Sequence, residues 1–404
     1  MKRIIAAVLR RVKWKFLTCL FYLFRVFPIK NNKIVISSYF GRGYGDNAKY
    51  IIDELLKASE VYDIVWLLKD VSNSLPCSVR AVKYGSFSAI FEITTAKAWI
   101  DNCRKPIYVR KRRKQFYIQT WHGGGAQKKC ENDSVEVLNS KYVESAINDS
   151  AMADLMISDS RFMTELYHRS FWYDGPVFEC GYPRYDILLK YDEALASKVY
   201  AYYGIDRDKE LVLYAPTFRA DYSFDAYNID FERLKTNLNK RFRKDFVILV
   251  HLHPNVANVE GGINYDGRTV INSTFYPDTQ ELIAVSSILI GDYSSINYDF
   301  SLKRLPVFRY TSDLEAYRND RDLYFAFDEY PYPYARDNDE LENLILNFDQ
   351  ERYLSNLNAF FDKLGAVVTD DASENVAGVI VDYLNCNEKN VFFKKNKNRF
   401  VYKQ

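Results

Sequence analysis

The sequence predicts an α/β protein of two domains, each built on a parallel, doubly wound sheet. From Lys33 onward, short apolar runs with strand character alternate with stretches of helical periodicity, and this alternation favours strands joined by helices. At 404 residues the chain suits two domains, and a hydrophobic share of 48% is normal for full cores. We therefore expect two sheets with their chemistry at the carboxyl ends of the strands.

The first predicted domain spans residues 31–195 and opens with a strand over Lys33–Ser38 and a glycine turn. Asp46 then caps a helix that runs through Leu56. The glycine turn lacks the spacing and the partner acid of a dinucleotide-binding fingerprint. From Asp186 strand character is lost, which predicts the approach to a linker. The other strands predicted here are Asp63–Leu68, Ala98–Asp101, Phe116–Thr120, Leu155–Ser158 and Val177–Cys180.

The second predicted domain spans residues 205–385 and is followed by a basic, aromatic tail over residues 386–404. Its first strands are Leu211–Ala215 and Phe246–Val250. A short helix over Glu281–Ala284 precedes a buried strand over Ser286–Gly291, and Ile296–Leu302 is the start of a helix.

The turn Asp292–Ser295 lies between that last strand and that last helix. A helix start offers free N–H groups and the positive end of a dipole, and both bind phosphate. Ser294 and Ser295 are therefore candidates for a diphosphate cradle. An ordinary helix N-cap is the alternative, and for a lone Ser-Ser turn it is the more frequent outcome.

His122 follows the strand Phe116–Thr120 and precedes three glycines, which let backbone approach a ligand closely. This position at a strand end makes His122 a candidate catalytic residue, although a single histidine is more often structural. His251 and His253 would share one face of a strand, and since no third ligand is evident, they indicate phosphate contact in preference to metal. The six cysteines show no paired spacing and predict reduced thiols. We expect no metal in the protein and no cofactor.

Residues 1–30 are basic and aromatic and contain no acidic residue. The uncharged run Phe16–Phe24 is far shorter than the ~20 residues of a membrane-spanning helix. No small-residue cleavage site follows, so we expect no signal peptide. The pattern predicts a helix on an anionic membrane surface, and the alternative is a helix packed on its own domain.

A second basic run, Arg104–Lys114, precedes the His122 strand. Such runs are usually solvated loops, but this position makes it a candidate for contact with a membrane or a polyanion. No nucleic-acid-binding motif accompanies it, so nucleic acid is not an expected partner.

Six short motifs occur in order along the chain: Phe40–Asn47, Gln119–Gly123, Gly181–Asp186, Tyr214–Arg219, His253-Pro254 and Gly291–Ser295. In this order they resemble the CDP-glycerol glycerophosphotransferases, the teichoic-acid primases and polymerases of Gram-positive bacteria. The resemblance runs from about residue 33 to the final helix. Two departures stand out. Gly124-Gly125-Ala126-Gln127 replaces the family's Thr-Pro-Leu-Lys, and Pro331-Tyr332-Pro333 replaces Pro-Gly-Pro.

The resemblance implies two Rossmann-like domains facing across a cleft, the glycosyltransferase-B fold. The first domain would hold a lipid-linked or polymeric acceptor, and the second a CDP-activated polyol. His122 would be the general base on the acceptor hydroxyl, with CMP as the leaving group. The protein would act at the cytoplasmic face of the cell membrane as a peripheral enzyme. The predicted donor-binding residues are Thr217, Arg219, His253, Ser294 and Ser295, supported by Gly123 and Asp292.

Two other functions remain open at this point. One is a nucleotide-sugar glycosyltransferase of the same fold, which a donor screen would separate. The other is a non-catalytic, membrane-bound scaffold, which any donor turnover would exclude. The sequence leaves open which polyol is carried and whether one unit or many are added.

Overall fold

The computed structural model describes residues 2–72, 74–125, 127–190, 192–217, 219, 225–252, 263–315, 317, 322–386, 393–396 and 399–402. These residues form two compact units. The first contains residues 1–122, 130–184 and 371–404, and the second contains residues 123–129 and 185–370.

The first unit is built on a seven-stranded sheet in which every pairing is parallel. The order is β3-β2-β1-β4-β5-β6-β7. The central strands are buried apolar runs, as expected for a parallel sheet covered on both faces. The strands are β1 Lys30–Ser37, β2 Asp63–Leu68, β3 Val79–Lys83, β4 Ala96–Asp101, β5 Phe116–Gln119, β6 Leu155–Ser158 and β7 Val177–Glu179.

Helices connect these strands, and polar side chains cap several of them. Ser86 accepts a hydrogen bond from the N–H of Ala89, and Ser160 accepts one from the N–H of Met163. Each bond satisfies an N–H group that has no partner inside the helix. The helices are α1 Lys2–Leu23, α2 Asp46–Leu55, α3 Phe87–Thr95, α4 Ser140–Met152 and α5 Arg161–Ser170.

The second unit is built on a six-stranded parallel sheet of order β10-β9-β8-β11-β12-β13. Its strands are β8 Glu210–Tyr214, β9 Phe246–Val250, β10 Val270–Asn272, β11 Ile288–Gly291, β12 Val307–Tyr310 and β13 Tyr334–Ala335. Its helices are α6 Asp186–Leu189, α7 Glu193–Tyr203, α8 Phe231–Phe242, α9 Thr279–Val285, α10 Ile296–Ser301, α11 Asn338–Leu346 and α12 Gln350–Leu364. Both units are therefore Rossmann-like.

The C-terminal part of the chain returns to the first unit. It forms α13, Ala372–Cys386, and a hairpin of β14, Phe393–Asn396, with β15, Arg399–Tyr402. The ring of Tyr383 stacks on Phe116 at 4.6 Å, and its hydroxyl donates to the carbonyl oxygen of Lys114 at 2.9 Å. The observed boundary, between residues 184 and 185, differs from the predicted one, and α13 belongs to the first unit instead of the second.

One face of α1 packs on the first unit. Leu17 and Phe21 are buried in the core that also contains Val35 and Ile90. The hydroxyl of Thr18 donates to the carbonyl oxygen of Tyr108 at 3.4 Å. For the face of α1 that carries Leu17 and Phe21, the structure therefore agrees with the alternative prediction, a helix packed on its own domain. Among the described residues, no helix is both long and apolar enough to cross a membrane.

Contact with a membrane or polyanion finds no support for three of the seven basic residues in the run Arg104–Lys114, and for the other four it stays a prediction. Arg104 and Lys105 are buried at 4% and 6% exposure, and both are paired with carboxylates. Lys111 is paired with Asp154. The sequence did not reveal the pairs of Arg104 and Lys111 because their acidic partners lie 27 to 45 residues away in the chain, whereas the partner of Lys105 is Asp101, four residues away.

Candidate functional site

In each sheet the strand order runs in opposite directions from one point, which we call the reversal point. Open α/β sheets bind ligands at the carboxyl ends of the strands on either side of this point. In the first unit the reversal lies between β1 and β4, with β5 next to β4. In the second unit it lies between β8 and β11. His122 follows β5, Thr217 follows β8, and Asp292 follows β11 directly. The predicted residues of each unit are thus close to its reversal point.

His122 has a defined tautomer. Its Nδ1 lies 2.6 Å from the carbonyl oxygen of Asn102, the residue after β4. A carbonyl oxygen only accepts hydrogen bonds, so Nδ1 carries the proton and Nε2 keeps its lone pair. The ring also lies against Trp121, with 4.4 Å between the ring centroids. These contacts fix the orientation of a side chain that can accept a proton at Nε2.

The electrostatic surroundings keep His122 neutral. Desolvation by burial lowers the pKa of His122, and Arg184 lowers it further. The carbonyl of Asn102 and the carboxylates of Asp46 and Glu131 act in the opposite direction, but the pKa remains below its usual value. An imidazole that is neutral at neutral pH can act as a general base.

A carboxylate, a phenol and a guanidinium accompany His122 in the first unit. The hydroxyl of Tyr39 donates to Oδ2 of Asp46 at 3.0 Å, and Nη1 of Arg184 lies 3.8 Å from the same oxygen. The rings of Tyr39 and His122 are 5.5 Å apart. From the sequence, Asp46 was predicted to cap α2, but this is wrong because the N-cap residue is Gly45 and no side chain caps the helix. Tyr39 and Arg184 were given no role, although the matching motif Gly181–Asp186 contains Arg184.

Asp292 organises the turn after β11 in the second unit. Its Oδ2 accepts from the backbone N–H of Thr217 at 2.8 Å, and its Oδ1 accepts from the Thr217 hydroxyl at 2.5 Å. Nη1 of Arg219 donates to Oδ2 at 2.9 Å. The side chain is almost fully buried. Asp292 therefore joins the two turns that follow β8 and β11.

Arg219 is held between two carboxylates. Besides Asp292, it donates through Nε and Nη2 to Asp313, at 2.5 and 3.1 Å. Asp313 also accepts from the hydroxyl of Tyr293 at 2.9 Å, and the ring of Tyr293 stacks on Tyr317 at 3.6 Å. The positive charge of Arg219 is therefore already offset within the unit, and its contact with a diphosphate stays a prediction.

The Ser294-Ser295 turn leads into α10, which has six residues. The hydroxyl oxygen of Ser294 accepts from the N–H of Ile296 at 3.3 Å, a local bond at the helix start. Within the described residues, the side chain of Ser295 makes no capping bond. The structure thus contains the ordinary helix start at Ser294, and binding of phosphate by either hydroxyl stays a prediction.

The segment Gly123–Lys129, which directly follows His122 in the chain, belongs to the second unit. With its amide nitrogen facing the turn, Gln127 donates to the carbonyl oxygens of Tyr293 and Ser294 at 3.0 Å each. Gly125 has φ +67°, and a Cβ atom there would lie 2.3 Å from the ring of Tyr298. Gly125 and Gln127, two of the residues that depart from the family pattern, therefore take part in the packing of this unit.

Of the other two histidines predicted to contact phosphate, His251 is described by the structure and His253 is not. Nδ1 of His251 donates to the carbonyl oxygen of Ser273 at 2.8 Å, and its Nε2 accepts from the hydroxyl of Thr279 at 3.0 Å. Both nitrogens have structural partners, so the phosphate contact predicted for His251 finds no support. His253 lies outside the described residues. Within the described part of the chain, no three His, Cys, Asp or Glu residues are grouped as a metal site.

Comparison with known proteins agrees with this arrangement. Residues 19–382 match the family described as CDP-Glycerol:Poly(glycerophosphate) glycerophosphotransferase. The chain is 30% identical over 367 residues to the teichoic acid poly(glycerol phosphate) polymerase of Staphylococcus epidermidis, covering 87% of this chain and 51% of the relative. It is 29% identical over 377 residues to the Bacillus spizizenii protein of the same name, covering 88% and 93%.

A solved structure of the wall teichoic acid polymerase TagF, in its H548A form, matches with a TM-score of 0.80 and 27% identity. The match covers 95% of this chain and 97% of that chain. Doubly wound units with polar turns near their reversal points are typical of proteins that bind nucleotides. The chain belongs to the CDP-glycerol:poly(glycerophosphate) glycerophosphotransferase family. It spans about half the length of the Staphylococcus epidermidis relative and nearly all of the Bacillus spizizenii one.

Proposed function

We propose that this protein transfers glycerol phosphate, or a related polyol phosphate, from a CDP-activated donor to an acceptor hydroxyl. The acceptor is a lipid-linked or polymeric molecule in the synthesis of teichoic acid or a capsule-type surface polymer. Family membership supports the reaction type. The observation that carries the proposal is the oriented, neutral imidazole of His122, which follows β5 and lies close to the reversal point of the first unit.

In the proposed reaction, Nε2 of His122 removes the proton from the acceptor hydroxyl. The acceptor oxygen forms a bond to the phosphorus atom that carries the polyol. The bond from that phosphorus to the CMP oxygen breaks, and CMP leaves with the electron pair. The imidazolium that forms keeps its Nδ1 hydrogen bond to the carbonyl oxygen of Asn102. Positioning and charge neutralisation carry most of the catalysis in phosphoryl transfer.

The donor diphosphate would lie at the reversal point of the second unit. Ser294 and Ser295 would donate hydroxyl hydrogen bonds, and Thr217 would assist from the turn after β8. Asp292 supports this arrangement because it already fixes Thr217 through two hydrogen bonds. His253 and Arg219 complete the proposed donor contacts, with Gly123 beside His122. The two units would face each other across a cleft, as the resemblance implies.

We also propose that the N-terminal helix binds the cytoplasmic face of the membrane without crossing it. The face of α1 that does not pack on the unit exposes a stripe of apolar side chains. Phe16 and Leu23 are 54% and 60% exposed, and Phe87 of α3 packs edge-on against Phe16. Exposed lysines at positions 13 and 15 lie on the same helix. Apolar contact beside basic residues suits an anionic interface.

Substitution of Phe16→Ser and Leu23→Ser together tests this helix while keeping its buried residues Leu17 and Phe21; thermal unfolding checks the loss of the Phe16–Phe87 contact. Each large apolar side chain contributes about 1.5–3 kcal/mol on burial, so partition onto anionic liposomes should fall at least about tenfold. Tyr202→Ser, at a side chain of similar exposure in the second unit, is the control. Equal binding to neutral liposomes, or resistance to both high salt and alkaline carbonate, would contradict a surface-bound helix.

The reaction is tested by incubating the full chain with CDP-glycerol, CDP-ribitol or nucleotide sugars and an acceptor, followed by mass analysis. The proposal expects products heavier by one or more polyol phosphate units, together with CMP. Products heavier by sugar units would instead support a glycosyltransferase. An absence of turnover with every donor would support a non-catalytic scaffold.

A further inference from the structure

The side chain of Asn47, the second residue of α2, is a fully buried amide that bonds to the backbone at both of its ends. Its Nδ2 donates to the carbonyl oxygen of Trp121 at 3.2 Å, and its Oδ1 accepts from the backbone N–H of Arg184 at 3.2 Å. An amide can do both because it has an accepting oxygen and two donating N–H groups. Asn47 therefore joins the start of α2 to the turn after β5 and to the segment that carries Arg184.

The backbone of Trp121 is strained and is held by three side chains. Its φ is +54°, in the left-handed region that costs energy for a residue other than glycine. Its N–H donates to Oε1 of Gln119 at 2.9 Å, and its carbonyl oxygen accepts from the hydroxyl of Thr120 at 3.1 Å as well as from Asn47. This carbonyl belongs to the planar peptide group that joins Trp121 to His122. The bonds to it therefore fix the backbone from which the His122 side chain projects.

The bond from Arg184 to Asn47 concerns the charges around His122. Burial lowers the pKa of His122, Asp46 raises it and Arg184 lowers it. Nη1 of Arg184 lies 3.8 Å from Oδ2 of Asp46, and the Arg184 side chain is 1% exposed. Asn47 follows Asp46 directly in the chain and binds the backbone of Arg184, so it fixes the spacing of this pair of opposite charges.

We propose that Asn47 is a positioning residue for His122, acting through the peptide group before His122 and through the backbone of Arg184. This inference rests on the proposed function, in which His122 is the general base. A purely structural amide at this position would stabilise the start of α2 only. Its loss would lower the stability of the first unit but leave the turnover of each folded molecule and the pKa of His122 unchanged. These two quantities separate the roles.

The test measures kcat with CDP-glycerol and a soluble acceptor that ends in glycerol phosphate. Asn47→Ala removes both bonds, and kcat should fall about 10- to 100-fold, as when a small displacement misplaces a catalytic group. CDP-glycerol affinity should stay at the wild-type value, and thermal unfolding checks that the variant is folded at the assay temperature. Asn47→Asp is the milder variant. It keeps the shape and the acceptor for the Arg184 N–H, but its ionised carboxylate cannot donate to Trp121, so its kcat on the pH plateau should also fall.

The pKa of His122 gives a readout that needs no turnover. The chain has four histidines, so NMR titration of their ring signals, with His122→Ala to assign one of them, measures this pKa directly. In Asn47→Ala the segment that carries Arg184 loses the bond that keeps its positive charge close, so the pKa of His122 should rise by about half a unit or more. The acidic limb of the kcat/KM profile should move to higher pH by the same amount, because the base acts in its neutral form. The charged and titratable groups around the ring are Tyr39, Asp46, Cys103, Glu131 and Arg184.

Gln115→Ala is the matched control. Gln115 is also a fully buried amide of the first unit, but it directly precedes β5, whereas Trp121 and His122 follow that strand. Its Nε2 donates to the carbonyl oxygens of Ile93 and Ala96 at 2.7 and 2.6 Å, and its Oε1 accepts from the N–H of Arg112 at 2.8 Å. Gln115→Ala should therefore lose stability, as Asn47→Ala does, while kcat and the pKa of His122 stay at their wild-type values.

The outcomes distinguish the inference from the proposed function. A wild-type kcat in Asn47→Asp, or an unchanged pKa of His122 in folded Asn47→Ala, would overturn the inference while the proposed function stands. The same losses in Gln115→Ala would overturn it too, since any buried amide of the unit would then have this effect. Absence of polyol phosphate transfer by the wild-type chain would remove the proposed function and, with it, the catalytic role of the residue that Asn47 positions.

Discussion

Replacement of Asp292 tests whether one carboxylate holds the donor turns together. Asp292→Ala removes the acceptor of two Thr217 bonds and one Arg219 bond, at 2.8, 2.5 and 2.9 Å. Asp292→Asn keeps the shape and one accepting oxygen but loses the charge. We therefore expect both variants to be destabilised and to bind donor more weakly, with alanine the more severe.

The magnitudes follow from burial. Breaking a buried ion pair by removing one partner costs about 3–5 kcal/mol, although Asp313 still pairs with Arg219 and keeps the alanine variant at the lower end. In the asparagine variant the Thr217 hydroxyl can rotate to accept from the new amide. The expected loss is therefore about 1–3 kcal/mol. Thr217→Val removes only the hydroxyl bond, which is worth about 0.5–1.5 kcal/mol.

Urea unfolding and calorimetric titration with CDP-glycerol measure these losses. Stability and donor affinity should fall in the order wild type, Thr217→Val, Asp292→Asn, Asp292→Ala. An alanine variant as stable and as tightly donor-binding as the wild type would refute the reasoning, since the buried hydrogen bonds would then contribute nothing.

Two further predictions concern the second unit. Ser294→Ala and His253→Ala should each weaken CDP-glycerol binding by about 1–3 kcal/mol, and unchanged affinity in both variants by calorimetry would exclude the predicted cradle. Lys303 donates to the carbonyl oxygens of Ile283 and Ala284 at 2.8 and 2.7 Å, and burial lowers its pKa from 10.5 to about 7. Between these two pKa values Lys303 is protonated in the unfolded chain and neutral in the folded one, so it makes the free energy of unfolding rise with pH. Lys303→Met should flatten that rise between about pH 7 and 9. An unchanged slope would contradict the lowered pKa of Lys303.

Most of the buried strands were predicted from the sequence, but β12, Val307–Tyr310, was missed although it is buried along its whole length. Apolar runs such as Asp63–Leu68 and Phe246–Val250 were predicted with the bounds that the structure shows, because every central strand is covered on both faces. The strand Val79–Lys83 was missed, since most of it is exposed or half-buried at the sheet edge. The strands β10 and β13 have three and two residues, too few for a pattern.

The candidate site was predictable only in part. His122 and Asp292 could be selected because each follows a predicted strand. The association of His122 with Asp46 could not, because it depends on which strands are neighbours in the sheet. The two carboxylates that hold Arg219 are 73 and 94 residues away in the chain. A sequence shows which residues are charged but not which distant residues pair with them. For this reason Arg104 was predicted to contact a membrane or polyanion, although it is buried and paired with Glu131.

The central claim is that His122 acts on the acceptor while the second unit holds the donor. The direct test measures turnover and CDP-glycerol affinity side by side for His122→Ala. We expect turnover to fall by about 10²- to 10⁴-fold, as is typical for loss of a general base, while donor affinity stays at the wild-type value. His168→Ala, at an exposed histidine of the same unit that also contacts a backbone carbonyl, should leave both quantities unchanged. Near-normal turnover in His122→Ala would contradict the account.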